Sequence, residues 1–579
     1  MARLVSADKQ RPQDAALAQE STLVRQVDNL QRISAQQRKD QLGDDWFKQV
    51  RDLYNVFTRE SDAPMFRPTV RIPEAQTLGF MEAIDLSDIE PRIYLTKSWD
   101  NYQQDENAEV CVQAFWRDAL INNQILYAHM WAFFCGNGFI QVGHDPTRRN
   151  GRGDVVAMWR DPETVFPDPY AVDDENWQYL ILEDFMWLDR VRQLWPIPGQ
   201  RVTLTKSAAS LVDVSSAQRS QTSFGLEVPK GPMQAMIPGM PVSSVPGDAR
   251  VRVRTLFLRD STRKKVSDKD GRMTLSGMAR PEYAMRYPRG RMIIECNGVI
   301  LFDGENPYLH REFPLIRFIG MPAMHGFWAP PPLRYTKSLQ EIAERFITQD
   351  FENTIRLNNG TWFIDEDTGI DVERFGGVPG EVQMKAKGSQ TPELVQPKGS
   401  SEGMNKAGEL LKKQRELQGF AESRMGKTPQ GNTSTNLFEG AVSQGQTLTR
   451  GRARLSYGPI MRLARLILMT LAQYTKDERV FADPRSDGYG IVRWKAVDED
   501  NVEKYIAHVD PASIRPFSDA MLASRVPLMR NMGLLDRESA LEALRWPNRK
   551  KVVERLGKEA QAAGQAEIAK KQAGKGGKK

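Results

Sequence analysis

From Leu437 to Tyr474 the chain runs for 38 residues with a single proline, Pro459. Asn436 is placed to cap a helix there, and Glu439 follows at capping-box spacing. At about 1.5 Å per residue such a rod is roughly 57 Å long, more than the core of one small domain can shelter. Gly458-Pro459 bends it midway, because Pro459 removes one backbone hydrogen bond. Two further rods precede it. PPPLRYTKSLQEIAERFITQDFENTIRLNNG (330–360) is opened by prolines and closed by Asn-Asn-Gly, with Leu339, Ile342, Phe346, Ile347, Phe351 and Ile355 as its apolar stripe. The third covers about 404–425, with Leu410, Leu417, Phe420 and Met425 on one face and Lys406, Lys412, Lys413 and Arg415 elsewhere. Apolar faces on rods this long are expected to find cover against neighbouring copies of the chain.

The 579 residues predict three or four domains. Residues 1–45 are polar and predict a solvated N-terminal arm, helical near Leu23–Leu30, with the folded body starting at Trp46. The stretch 73–89 predicts a helix, RIYLT (92–96) a strand, and 107–135 one long helix apolar on most sides and stopped by Gly136-Asn137-Gly138. FIQVGH (139–144) and DVVAMW (154–159) predict a β pair around the basic turn TRRNGRG. DPETVFPDPY (161–170) predicts a rigid extended connection, and QYLILEDFMWL a strand leading to a helix ending near Trp195. Ser, Gly, Pro and Ala dominate 203–249, the composition of an insertion without a core of its own. The β pattern resumes over 251–260, 282–288, 290–302 and 314–320, with Asn297-Gly298 as a hairpin signal. Residues 46–329 thus predict one α+β body. Between the two shorter rods, 361–385 predicts a compact β segment in which TWFI and IDVERF flank an Asp-Thr-Gly turn.

Charge and composition narrow the chemistry. The net charge is +6, but residues 551–579 hold eight Lys/Arg against three Glu, so the other 550 residues carry about +1. The folded part therefore predicts no clustered basic face of the kind a tight duplex binder needs. Three scattered cysteines and five scattered histidines predict neither a disulfide frame nor a metal site, and no cofactor is expected. The most apolar run, Ile460 to Tyr474, carries Arg462 and Arg465 and is too short to span a bilayer, so no membrane partner is expected. No signal-peptide pattern opens the sequence, which predicts synthesis in a cytoplasm.

Gly426-Lys427-Thr428 has the ending of a nucleotide-binding P-loop. The context opposes that function: a helix precedes it, Ala421 stands where the first glycine belongs, and Pro429 pushes Thr428 out of helical geometry. The better reading of 426–436 is a polar loop between two helices. The acidic run Asp365-Glu366-Asp367-Thr368-Gly369-Ile370-Asp371 is no EF-hand, since its glycine falls at position five and position twelve lacks a Glu. No Ser/His/Asp or Cys/His set appears at a recognisable motif.

Helix, small β module, returning helix, polar loop and long bent helix, in that order, resemble the tailed-bacteriophage portal protein, the head-to-tail connector. The resemblance covers about 60–560. CGNGFIQVGHDP and DPETVFPDP are similar to its wing, PPPLRYTKSLQEIAERFITQDFENTIRLNNG to its first stem helix, and Val378-Pro379-Gly380-Glu381-Val382 to its clip. NKAGELLKKQRELQGFAESRM is similar to the returning stem helix. It implies an α+β wing (46–329) after the arm (1–45), stem helices at 330–360 and 404–425, a clip at 361–403, a tunnel loop at 426–436, a kinked wing helix at 437–475, a helical crown at 476–557 and a basic tail at 558–579. It further implies a non-enzymatic ring of about twelve subunits at one capsid vertex of the virion, contacting the major capsid protein. Double-stranded DNA passes through its channel, and terminase and later tail or adaptor proteins dock on it. Lys427, Thr428, Gln430, Asn432, Lys406, Lys412, Lys413, Lys337 and Arg345 are the candidates to meet DNA. Asp365, Glu366, Asp367, Asp371 and Glu373 are the docking candidates in the clip, where eight acids face four bases. The competing readings are a nucleotide-hydrolysing packaging or remodelling enzyme using Gly426-Lys427-Thr428, and a monomeric nucleic-acid binder acting through its basic tail.

Overall fold

Helix and strand are mixed among the described residues, in agreement with the α+β expectation. The computed structural model describes residues 2–54, 71–87, 93–96, 106–171, 176–202, 250–265, 283–323, 326–358, 361–364, 402–420, 447–475, 479–482, 491–494 and 506–509, with short stretches between 384 and 395 and between 526 and 558. In order come α1 (Ala2–Leu42), α2 (Trp46–Tyr54), α3 (Glu74–Ser87), β1 (Ile93–Thr96), α4 (Glu106–Asp118), α5 (Ile121–Cys135), β2 (Asn137–Asp145), α6 (Arg148–Gly151), β3 (Asp154–Arg160), β4 (Val165–Pro167) and β5 (Tyr179–Trp187). Next are α7 (Leu188–Leu194), β6 (Arg250–Leu258), β7 (Arg263–Lys265), β8 (Tyr283–Met285), β9 (Arg291–Cys296), β10 (Val299–Glu305) and β11 (Leu315–Ile319). The rest are α8 (Lys337–Asn358), β12 (Thr361–Phe363), β13 (Glu393–Val395), α9 (Glu402–Leu417), α10 (Thr447–Tyr474), β14 (Arg479–Ala482), β15 (Ile491–Trp494) and β16 (Ile506–Val509). Two units emerge: Met1–Lys48 with Gly79–Pro332 and Ser434–Lys579, and Gln49–Leu78 with Leu333–Thr433.

The larger unit is built on two antiparallel sheets, β11-β2-β3 and β10-β9-β6-β5-β4. The long helix α10 lies in the core of the first sheet. Its Ile460, Leu463, Ile467 and Leu471 are buried with Val112 and Phe115 of α4, Ile140 and Val142 of β2, and Phe318 of β11. Residues Gly451–Tyr474 are apolar and long enough to cross a membrane by composition, but most of that stretch is buried inside the protein. The helix continues through Pro459 without a break, and residues 437–446 of the predicted rod lie outside the described residues. Arg160 joins the two sheets, donating from Nη2 to the Glu183 carbonyl at 2.7 Å and to Asp184 Oδ1 at 2.9 Å.

Three expectations are corrected here. The N-terminal arm is α1, not a solvated tail: Val27, with Leu23 and Leu30, packs on Phe166, Tyr179, Ile181 and Leu256 of the five-stranded sheet. Its polar residues also bind. Buried Arg254 donates to Glu295 Oε2 (2.6 Å), Asp28 Oδ1 (2.5 Å) and Gln31 Oε1 (2.8 Å). The single helix expected over 107–135 is two helices, because Leu120 takes a left-handed conformation (φ 50°) and Trp116 Nε1 donates across the break to Asn122 Oδ1 at 2.8 Å. The returning helix stops at Leu417, eight residues early, where Gly419 (φ 85°) turns the chain and Phe420 N donates to the Arg415 carbonyl. Met425 lies outside the described residues. Thr361–Phe363 pairs with Glu393–Val395, and the predicted partner segment IDVERF lies outside the described residues. Among the described residues, strands precede any helical piece after α10: β14 pairs with β15, and β16 pairs with β1 of the larger unit.

Candidate functional site

The smaller unit carries every candidate DNA-contact side chain that is described. Its frame is the pair α8 and α9. Thr336 meets Gln418, Gln340 meets Gln414 and Asp350 meets Met404, so the two helices run antiparallel. The seam between them is polar. Gln418 Nε2 donates to Thr336 Oγ1 at 2.9 Å, Gln414 Nε2 to Gln340 Oε1 at 3.5 Å, and Gln340 Nε2 to Glu344 Oε1 at 3.1 Å. All five of these side chains are buried.

The segment 71–75 closes the seam. Ile72 N donates to Glu344 Oε1 at 3.1 Å, Ala75 N donates to Gln340 Oε1 at 3.1 Å, and Arg71 Nη1 pairs with Glu344 Oε2 at 2.9 Å. Arg415 binds Glu74 through two nitrogens, the Nη2–Oε2 distance being 3.0 Å. A buried carboxylate such as Glu344 is tolerable only because donors meet both of its oxygens.

The apolar residues of α8 stay outside this seam. Of the predicted stripe, Leu339, Phe346 and Ile347 are half-buried, and Ile342, Phe351 and Ile355 are exposed at 42%, 46% and 39%. On α9, Leu417 is 55% exposed and Leu410 half-buried, while Ala407 and Gln414 are buried, as are Gln418 and Phe420 just beyond its end. Between the two helices the Gln/Thr/Glu row is buried together with Ala343, Ala407 and Phe420, the last a member of the predicted apolar face. No sequence signal marks that row, because glutamines spaced along a helix usually face water.

The candidate cations fall into three groups. Lys337 is committed, 3.3 Å from Glu341 and donating to Gln49 Oε1 at 2.6 Å. Lys406 lies 3.5 Å from Glu402. Arg345, Lys412 and Lys413 are exposed, and Arg345 and Lys413 have no carboxylate partner among the described residues. Glu402, Lys406, Glu409, Lys413 and Glu416 follow at three- and four-residue spacing, so the solvent face of α9 alternates in sign. Such a face cannot hold a polyanion tightly. Lys427, Thr428, Gln430 and Asn432 lie outside the described residues, as do Asp365, Glu366, Asp367, Asp371 and Glu373.

Among the described residues no group of three or more His, Cys, Asp and Glu is placed to hold a metal ion. The titratable groups with large shifts are buried in the larger unit. Burial pushes His129 down to about 3 and His310 to about 4, the latter helped by Arg465, and it pushes the Cys296 thiol up to about 12. His129 Nε2 is 3.4 Å from Ser456 Oγ, one turn along α10 from Arg452, which is ion-paired with buried Glu82. His129 packs edge-on against Phe318 and His310 Nδ1 accepts from Glu312 N at 3.0 Å, so both imidazoles serve as neutral packing groups. Comparison with protein-family models gave no match, and comparison with curated proteins gave none.

Proposed function

We propose that this chain is a portal-type protein: a non-enzymatic ring at one capsid vertex through which double-stranded DNA is packaged and later ejected. Terminase, and then tail or adaptor proteins, dock on the 361–403 segment, and the major capsid protein surrounds the ring. The observation that carries the reading is the antiparallel pair α8/α9, whose buried seam is polar and whose apolar residues Ile342, Phe351, Ile355 and Leu417 are left exposed. Burying apolar area drives association. A helical hairpin that turns its apolar side outward is suited to packing against a neighbouring copy rather than to standing alone.

The element order supports the same reading. An α+β body is followed by helix, short β ladder, returning helix and a long apolar helix. Charge agrees as well. A channel must let DNA slide, and each phosphate contact strengthens binding and its dependence on salt. The alternating Glu/Lys face of α9 offers few lasting contacts.

Negative-stain images of the purified chain test the proposal. Annular particles with a central hole are expected, and they should persist after deletion of 558–579. A cooperatively melting monomer at micromolar concentration, with no rings across ordinary buffers, overturns it. ATP turnover that disappears in Lys427→Ala would instead establish the nucleotide-hydrolysing reading; the expected result is no turnover in either protein.

A further inference from the structure

The seam between α8 and α9 fits itself in more than one register. In the structure Thr336 meets Gln418, Gln340 meets Gln414 and Asp350 meets the start of α9 at Met404, so each step along α8 is matched by an equal step back along α9. The same count sets Ala343 opposite Leu411 and Ile347 opposite Ala407. Both rows alternate spacings of four and three residues, as helices packed side by side require. One turn further along α8 a second row has the same spacing: Gln340, Glu344, Ile347, Phe351 and Thr354. Set against the unchanged row of α9, it pairs Gln340 with Gln418, Glu344 with Gln414, Ile347 with Leu411 and Phe351 with Ala407. Amide or carboxylate again meets amide, and apolar again meets apolar. A slip the other way sets Gln340 against Leu411, so only one direction is matched.

The observed register is imperfect where the second would improve it. Gln414 Nε2 reaches Gln340 Oε1 only at 3.5 Å, the outer limit of a hydrogen bond, and buried Gln414 Oε1 has no partner among the described residues. Phe351 is left 46% exposed. The slip gives the Gln414 amide a carboxylate, and a charge-assisted bond is the stronger kind. Glu344 has room for it: it accepts from Ile72 N, Gln340 Nε2 and Arg71 Nη1, and a carboxylate accepts about four bonds. The slip also brings Phe351 over the small Ala407. Against it stand the Gln418–Thr336 bond and the two-nitrogen grip of Arg415 on Glu74, which ties α9 to the 71–75 segment.

We infer that α8 and α9 form a two-register hairpin, in which α9 slips by one turn toward the C-terminal end of α8 and the Arg415–Glu74 pair is the catch that holds the observed register. The movement is about 5.4 Å along the axis with about 40° of rotation, one helical turn being 3.6 residues. It proceeds by a whole turn because interlocked side chains fit at discrete staggers and not between them. The inference does not rest on ring formation: every group in it belongs to the smaller unit of one copy.

Disulfide trapping in the full-length protein tests it, the native Cys111, Cys135 and Cys296 being buried. Ile347→Cys with Ala407→Cys closes in the observed register, and Ile347→Cys with Leu411→Cys closes in the slipped one. Both disulfides are expected under mild oxidation, the second more slowly. Arg415→Gln releases the catch and raises the rate of the second about tenfold. Phe351→Ser removes what the slip covers and lowers that rate about fivefold, an effect that simple fraying of the hairpin would not produce. Failure of the second pair to close in the Arg415→Gln chain overturns the inference, as does closure unaffected by Phe351→Ser. Equal closure of Ile347→Cys with Gln414→Cys, a turn further off, overturns it too, by showing a loose hairpin without registers. Spin labels on the exposed Ser338→Cys and Asn405→Cys keep the test independent of core substitutions. Two distances differing by up to about 5 Å are expected, the longer one enriched by Arg415→Gln, and a single distance in both chains overturns the proposal.

Discussion

The exposed apolar side chains of α8 and α9 give the proposed assembly a measurable handle. Phe351 is 46% exposed and Leu417 55% exposed, so about half of each side chain is available to a neighbour. Complete burial of a Phe or Leu contributes roughly 1.5–3 kcal/mol. Covering the remaining halves of both therefore contributes about 2 kcal/mol per interface. A closed ring has one heterologous interface per subunit, so Phe351→Ser with Leu417→Ser raises the concentration for half-assembly by about 30-fold. The protomer itself changes little, since exposed substitutions away from special features stay within about 0.5 kcal/mol. Sedimentation velocity over a dilution series reads the assembly, and chemical denaturation of the dissociated protomer reads the fold. Assembly shifted by less than threefold refutes the reasoning. So does a protomer destabilised by the full 2 kcal/mol, because these side chains would then be serving the chain's own interior.

Two further outcomes follow from the larger unit. His129 is buried and its pKa is depressed to about 3 from an ordinary 6.5, so the unfolded chain binds the proton more readily. Stability is complete above pH 6.5 and falls by about 1.4 kcal/mol per pH unit as pH drops toward 3; urea midpoints of His129→Gln should show a shallower acid slope, and an unchanged slope would exclude this imidazole as the cause. Arg452 and Glu82 form a buried pair, so Glu82→Gln, which strips the charge from one partner, should cost about 3–5 kcal/mol, while Arg452→Met with Glu82→Leu recovers most of it. Thermal melts of the two variants compare directly, and equal losses would show that packing rather than charge governs the site.

The local punctuation of this fold was readable from the sequence. Asn297-Gly298 makes the β9–β10 turn with φ of 47° and 85°, and the prolines at 330–332 lead into α8 through a short 3-10 turn at Pro332–Tyr335. Strands β2, β3, β5, β6, β9 and β11 fall where alternation and flanking breakers place them. These signals act within a few residues, through steric limits on φ and ψ and through missing or special hydrogen bonds. The candidate site was less legible. Its lysines were picked by residue type, yet whether Lys337 is committed to Glu341 and Gln49 or available to a ligand depends on α2, far away in sequence.

By itself, then, the sequence determined the strands bounded by strong turn signals and the order of the main elements, but not every helix boundary, since Leu120 and Gly419 end helices that the periodicity carries on. It also determined that the helices carry apolar residues on one side. Only tertiary structure decided which side is inside. Along α8 and α9 and at their joined ends the answer is Thr336, Gln340, Glu344, Gln414 and Gln418 with Ala343, Ala407 and Phe420, and in α1 it is Val27 together with polar groups bound to Arg254. The reason is physical: a buried polar side chain is tolerated only when a donor or acceptor from a distant segment meets it, and no local pattern records where that partner lies.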